Sequence, residues 1–406
     1  DIIVDLMAGT HTVGYAMKQR CRMVANDIQR YSMVIGNTLL NYNPQPHFDG
    51  AVLEAFNKYY LANMRHLKNL FNLGFKSEST FVNAAKTEQP SWAEYSDFCE
   101  NYPHFLRPTK APGYPEEFML LFGKHRVEAY RTLNKLEPYS LFSLYYANTY
   151  LGVLQCAQVD SIRYAIDKIC DEWVDANADY GYDGFGLRCL LLSALIASIS
   201  RGNPGPGHWA AFPRVNDRNY DYLLGYRRLD LHQIFVDRVK RIEEEIAKHQ
   251  SPFEAHTVKT EDYVTFMAEV HEYIKKAKVV YLDPPYSQGH YSRFYHLIET
   301  LIQYDYPEIS HSGRYRTDRH QSPFAHKGKV AAAVGAVCEV ARDAGTTMVL
   351  SYSRGGIVPE HEAFQAILEK YYPTSKIELR TLSSEHSKLG QAKRMQTEEY
   401  IFTCRP

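Results

Sequence analysis

The sequence predicts an α/β fold: a doubly wound, Rossmann-like sheet built from both ends of the chain, interrupted by a largely helical insertion. Three observations carry this expectation. A short apolar run, Ile2 to Leu6, passes through a glycine-containing turn into a helical stretch and then a second apolar run ending at Asn26-Asp27. The same strand-helix rhythm returns after about residue 254. Between them, from Glu116 to Lys168, apolar residues recur three or four apart, the period of helices. The expected boundaries are therefore 1–42 and 254–406 for the sheet domain, with 43–253 inserted.

The elements follow in order. The turn is Met7-Ala8-Gly9-Thr10-His11-Thr12-Val13-Gly14, with a helix from Tyr15 to Arg20. Met23 to Ala25 reads as the second strand, followed by a helix through Leu40. From Asn41 to about Pro115 the rhythm is lost, and irregular structure is expected. Glu116 to Lys168 turns helical, and Leu187 to Ile199 reads as a buried apolar helix. A loop is expected around Arg201 to Trp209. Leu229 to His249 forms an amphipathic helix, with Glu243-Glu244-Glu245 as its solvated face. His256 to Val258 and Val279 to Leu282 are strands flanking a helix from Tyr263 to Lys276. Later elements are a helix Val330 to Ala344, a strand Met348 to Ser353, a helix Glu362 to Tyr371, and closing strands Ile377 to Leu382 and Glu399 to Cys404.

Composition narrows the function classes. The 406 residues are 45% hydrophobic and 23% charged, which excludes wholesale disorder, collagen-like repeats and a disulfide-stapled miniprotein. Lys+Arg of 46 against Asp+Glu of 47 leaves a net charge of −1, so a polyanion must be held by local patches. Seven widely spaced cysteines without a CxxC pair point to a reduced, cytoplasmic protein lacking a structural zinc site. No apolar run approaches the roughly 20 residues of a membrane span, so no membrane partner is expected. The chain opens at Asp1, one step from a strand, and further residues are expected to precede it. The 32 tyrosines suit core edges and base-stacking surfaces equally.

The sharpest signal is Asp283-Pro284-Pro285-Tyr286, directly after the buried strand Val279 to Leu282. Two prolines end a strand well by themselves, since neither donates to a ladder. Yet the carboxyl end of a parallel strand is where open α/β sheets keep their ligands. An exocyclic amine on a base is a poor nucleophile because its lone pair is delocalised into the ring. Two acceptors, the Asp283 carboxylate and the Pro284 carbonyl, can hold its two hydrogens and favour the nucleophilic form. Tyr286 can stack on a base that has left the duplex.

This tetrapeptide resembles the catalytic motif of the adenine-specific (N6) DNA methyltransferases that use S-adenosylmethionine. The order of parts is similar to the Dam-like subgroup, whose target-recognition segment lies between the cofactor-binding start and the catalytic motif. Residues 1–42 and about 254–405 follow that pattern. Tyr291-Ser292-Arg293-Phe294-Tyr295-His296 and Leu350-Ser351-Tyr352-Ser353 also resemble the family. The resemblance implies a methyltransferase-type sheet whose first turn, Asp5 with Met7, Ala8, Gly9, Thr10 and His11, binds the methionine part of the cofactor. Gly9 lets backbone approach ligand, and the following helix start offers free N–H groups. His11 stands where a second glycine is usual, either lining the pocket or serving the loop.

Asp27, with Ile28 beside it, stands where an acidic residue accepts ribose hydroxyls; the competing role is a helix cap. For Asp262 the resemblance implies contact with the cofactor's adenine, with Tyr263 beside the ring, and capping again competes. Arg293 and the segment carrying Arg314, Arg316, Arg319, Lys327 and Lys329 suit phosphate neutralisation, or form an ordinary solvated loop. A second basic region holds Arg107, Lys110, Lys124, His125, Arg126 and Arg131. A third holds Arg201, His208, Trp209, Arg214, Arg218, Arg227 and Arg228, where His208-Trp209 could equally be a packing pair. His296 and Glu299 share one face of an amphipathic helix near the pocket.

The expectation is a site-specific methyltransferase acting on double-stranded DNA, with S-adenosylhomocysteine as coproduct, no metal, and a restriction or defence subunit as companion. HExxH, P-loop and GxSxG patterns are absent from the sequence. Methylation of cytosine N4 uses the same logic but more often carries Ser at the Asp283 position. RNA or protein-glutamine substrates usually go with Asn there. A methylase-like DNA-binding module without activity is the non-enzymatic alternative.

Overall fold

The opening apolar run is strand β1 (Ile2–Asp5), with Ile3, Val4 and Asp5 buried. Helix α1 (Thr12–Met17), strand β2 (Arg22–Asn26) and helix α2 (Arg30–Leu40) complete the first βαβα run. The pattern resumes with β3 (Thr257–Lys259), helices α3 (Tyr263–Glu269) and α4 (His271–Lys276), β4 (Val279–Leu282) and α5 (Tyr291–Gln303). It closes with α6 (Val330–Asp343), β5 (Thr347–Ser353), α7 (His361–Leu368), β6 (Ile377–Ser387) and β7 (Arg394–Cys404). The computed structural model describes residues 1–84, 90–107, 114–133, 136–205, 207–286, 291–358, 361–387 and 394–406.

The seven strands form one sheet in the order β3-β2-β1-β4-β5-β7-β6. Pairings from β3 through β5 are parallel, and the closing hairpin is antiparallel. Chain order reverses between β1 and β4, where Asp5 lies opposite Tyr281. That reversal is the switch point at which open α/β sheets bind ligands. Val4, Val24, Val280, Leu282, Met348 and Leu350 pack beneath α3 and α6 into one core.

Some elements differ from the sequence reading. Helix α1 starts three residues earlier, because His11 adopts the left-handed conformation and caps it. The helix expected over Tyr263–Lys276 is two, broken at Val270. Residues 41–115 are not irregular: Gly50–Leu70, Asn72–Val82 and Trp92–Asn101 are helices. The stripe Val52, Phe56, Tyr60, Met64 and Leu67 buries one face of the first, a period masked in sequence by intervening polar residues. Glu243 is not on a solvated face; it is buried and accepts from the Phe48 N–H at 3.0 Å.

The described residues group into two compact units, 1–42 with 249–295 and 319–406, and 43–248 with 296–318. The segment 296–318, assigned from sequence to the sheet domain, groups with the helical unit. That unit centres on the helix Val153–Lys168, buried on nearly every side. On that helix the buried Asp160 accepts from the Phe142 N–H at 2.8 Å and the Tyr304 hydroxyl at 2.6 Å. Gly184–Gly202 is long and apolar enough to cross a membrane, but most of it is buried in this unit, the mark of a core helix.

Candidate active site

The carboxyl ends of β1, β2, β3 and β4 open into a cavity of about 590 Å³, within the usual range for small-molecule sites. Its walls lie wholly in the sheet-bearing unit. Asp5, Met7, Ala8, Gly9 and Thr10 line it from the first turn, Asp27 and Ile28 from the end of β2, and Asp262 and Tyr263 from the start of α3. Asp283, Pro284, Pro285 and Tyr286 line it from the turn after β4.

Asp5 ends β1 and is 2% exposed. One of its carboxylate oxygens, Oδ1, has no hydrogen-bond partner. Burial raises its carboxyl to about 8; a Met7 N–H opposes this, and the charges of Asp283 and Asp27 add to it. A buried oxygen lacking a partner beside a cavity is ready to accept from a cationic ligand. Gly9 has φ +53°, and open space surrounds the position a Cβ would take. Its N–H donates to Asp27 Oδ2 at 3.0 Å, while the Gln29 N–H donates to Asp27 Oδ1 at 2.9 Å. Asp27 therefore ties the first turn to the end of β2 and presents its carboxylate to the cavity.

Asp262 caps α3 by accepting from the Val264 N–H at 3.0 Å, and it also lines the cavity. Tyr263 stands edge-on to Phe324, with ring centres 5.1 Å apart. Asp283 remains accessible from the cavity. The protein packed around its carboxyl pushes it up to about 7, and the negative charge of Glu399 adds to the rise. Tyr286 is 38% exposed. Its carbonyl accepts from the Ile357 N–H at 2.8 Å, which fixes the turn while its ring stays open to the cavity.

Several expected residues lie elsewhere. His11 does not line the cavity: it is 1% exposed, shares a 3.1 Å hydrogen bond with Ser32, and its ring occupies the space above Gly36. Burial holds its imidazole down at about 4, so it sits neutral between the first turn and α2. Arg314 and Arg316 are not on a phosphate-facing surface. Arg314 donates to the Tyr145 carbonyl inside the helical unit, and Arg316 grips Asp305 at 2.6 Å and Asp318 at 2.8 Å. Arg227 is buried, donating to the Thr149 and Tyr150 carbonyls. Arg131 donates to the Tyr306 and Pro307 carbonyls. Trp209 is buried, and its carbonyl accepts from the Tyr150 hydroxyl at 2.6 Å. His296 shares a 2.9 Å hydrogen bond with that same carbonyl and does not line the cavity. Lys327, Arg214 and Arg218 are exposed, while Arg293, Arg319 and His208 are partly so. Lys110 lies outside the described residues.

Sequence reasoning gave no role at the site to Asn26, Tyr31, Tyr291, Tyr295 or Glu399. Asn26, read only as a strand end, clips the β3 loop by accepting from the Glu261 N–H at 2.9 Å and donating to the Glu261 carbonyl at 3.0 Å. Tyr31, Tyr291 and Tyr295 form an aromatic wall, with Tyr31 and Tyr295 5.3 Å apart. The spacing of Tyr291 and Tyr295, one helical turn, was the available signal. Glu399 gave none, because its relation to Asp283 depends on strand order.

Comparison with known proteins completes the description. Residues 217–347, which include Asp283-Pro284-Pro285-Tyr286, match the family model described as D12 class N6 adenine-specific DNA methyltransferase. The chain is 30% identical over 407 residues to Type II methyltransferase M.FokI of Planomicrobium okeanokoites, covering 99% of this chain and 48% of that protein. It is 22% identical over 398 residues to Modification methylase LlaI of Lactococcus lactis subsp. lactis, covering 97% and 49%. Modification methylase StsI of Streptococcus sanguinis is 24% identical over 370 residues, covering 91% and 42%. The chain spans about half the length of these curated relatives, and no solved structure matches it. Over residues 217–347 the chain is similar to the D12 class N6 adenine-specific DNA methyltransferases.

Proposed function

We propose that this chain transfers a methyl group from S-adenosylmethionine to the N6 amine of an adenine rotated out of double-stranded DNA, as the modification partner in a restriction or defence system. One observation carries the reading: the Asp-Pro-Pro-Tyr turn and the Gly9 turn open into the same cavity at the sheet's switch point.

The residues present fit the cofactor. The unpartnered Asp5 oxygen suits an ammonium, the Asp27 carboxylate at the end of β2 suits ribose hydroxyls, and Asp262 with Tyr263 suits an adenine ring. Bound there, the cofactor supplies a methyl group already activated by its sulfonium. The protein's part is positioning and electrostatics. Asp283 and the Pro284 carbonyl hold the two amine hydrogens while Tyr286 stacks on the base. The N6–C bond forms as the C–S bond breaks with its electron pair left on sulfur. The departing amine proton goes to the Asp283 carboxylate.

The helical unit, with Arg214 and His208 on its accessible loop, is assigned target recognition, and Arg293, Arg319 and Lys327 backbone contact. Long-read sequencing of DNA from cells expressing the protein tests the reading. The expected result is N6-methyladenine confined to one recurrent sequence. Unmodified DNA, or modified cytosine, overturns it.

A further inference from the structure

We propose that Glu399 is a positioning residue for Asp283, standing behind the cavity wall and preparing that carboxylate to accept the amine proton; this rests on the methyl-transfer reading above. The register supplies the geometry. Leu282 lies opposite Leu350, so Asp283, the next residue, comes alongside Ser351 at the carboxyl ends of β4 and β5. On the other side of β5, Ser353 lies opposite Glu399. Side chains two apart along a strand share a face, so Tyr281, Asp283, Ser351, Ser353 and Glu399 form one polar row across three adjacent strands. The Ser351 hydroxyl donates to Glu399 Oε1 at 2.8 Å. Glu399 does not line the cavity, so it acts through its neighbour.

An ordinary aspartate is too weak a base to take a proton efficiently near neutrality, and a neighbouring negative charge corrects this. The groups around Asp283 are Glu399 from β7, Asp5 from β1, Tyr281 from its own strand, Tyr286 from its own turn and Tyr291 from α5. Of the two carboxylates, Asp5 is the one the cofactor would engage. Glu399, which does not line the cavity, is the one that a ligand there would leave in place.

The test is a carbon-13 carboxyl NMR titration of the full chain, with Asp283→Asn identifying the Asp283 resonance. Glu399→Gln, which keeps an oxygen for Ser351, is expected to lower the Asp283 midpoint by on the order of one pH unit. The acid limb of kcat should move with it, while KM for the methyl donor changes less than about twofold. Glu399→Asp, restoring the charge, should recover most of the shift. An unmoved Asp283 midpoint in Glu399→Gln overturns the proposal, as does equal impairment of the Gln and Asp variants. If the unaltered protein methylates no adenine, the functional reading fails on its own, and the titration still decides the role of Glu399.

Discussion

At the scale of single residues, the carboxylates of Asp283 and Asp5 dominate. Asp283→Ala should lower methyl transfer by roughly 10²-fold or more while leaving cofactor affinity within a few-fold, measured by turnover and calorimetry. With its carboxyl near 7, Asp283 accepts a proton only above that pH, so kcat should rise through a limb near 7 and then level off. Asp5 has the opposite consequence for stability. Its carboxyl is raised from 3.8 to about 8, so the folded chain keeps a proton that the unfolded chain releases. Stability therefore falls as pH rises between about 4 and 8. Asp5→Asn should flatten that slope and raise the melting temperature at pH 8, yet weaken cofactor binding at least about tenfold. Binding that survives intact would show that the unpartnered oxygen has no ligand role. The carboxylates at positions 27, 262 and 283 were legible in sequence because each follows a recognisable strand. The burial of Arg314 and Arg316 was not, since a basic loop reads the same whether its guanidiniums meet phosphate or internal carbonyls.

At the scale of elements, the first turn depends on α2 as much as on its own glycine. A Cβ at Gly36 would stand 2.4 Å from the His11 ring. Gly36→Ala should therefore destabilise the protein by about 1–3 kcal/mol and weaken cofactor binding together, because His11 is the base on which the turn rests. Denaturant melts and calorimetry on the same variant check both. Arg316→Ala should cost about 1–2 kcal/mol, through the lost ion pairs to the half-exposed Asp305 and Asp318 and the lost packing of its buried stem, with little change in DNA affinity per folded molecule. The βαβ opening and the catalytic strand could be read from hydrophobic runs and turn chemistry. The helices of residues 50–101 could not, because their buried stripe includes tyrosines and asparagine that also suit loops.

At the scale of the whole molecule, a net charge of −1 gives no long-range attraction for DNA. Affinity then rests on individual phosphate contacts, each of which contributes to the salt dependence. Arg319→Ala and Lys327→Ala should each reduce the slope of log affinity against log salt by about 1, whereas Arg316→Ala leaves the slope unchanged. Equal slopes for all three would remove Arg319 and Lys327 from the interface. Sequence showed that the sheet was split, but it assigned 296–318 to the sheet-bearing part. A continuous helix, α5, runs through that boundary without any break in its pattern.

The pairing of Asp5 with Tyr281 has a consequence in time. Strand β1 can join β2 soon after both leave the ribosome, but its other edge stays bare until some 280 residues have been made. At ordinary translation speeds of 5–20 residues per second, that wait is on the order of tens of seconds. Throughout it, a nascent chain carries a sticky, half-satisfied β-strand and no finished pocket. Under the proposed function, partial products of synthesis should transfer no methyl group, because the cavity has its walls only once β4 has joined β1.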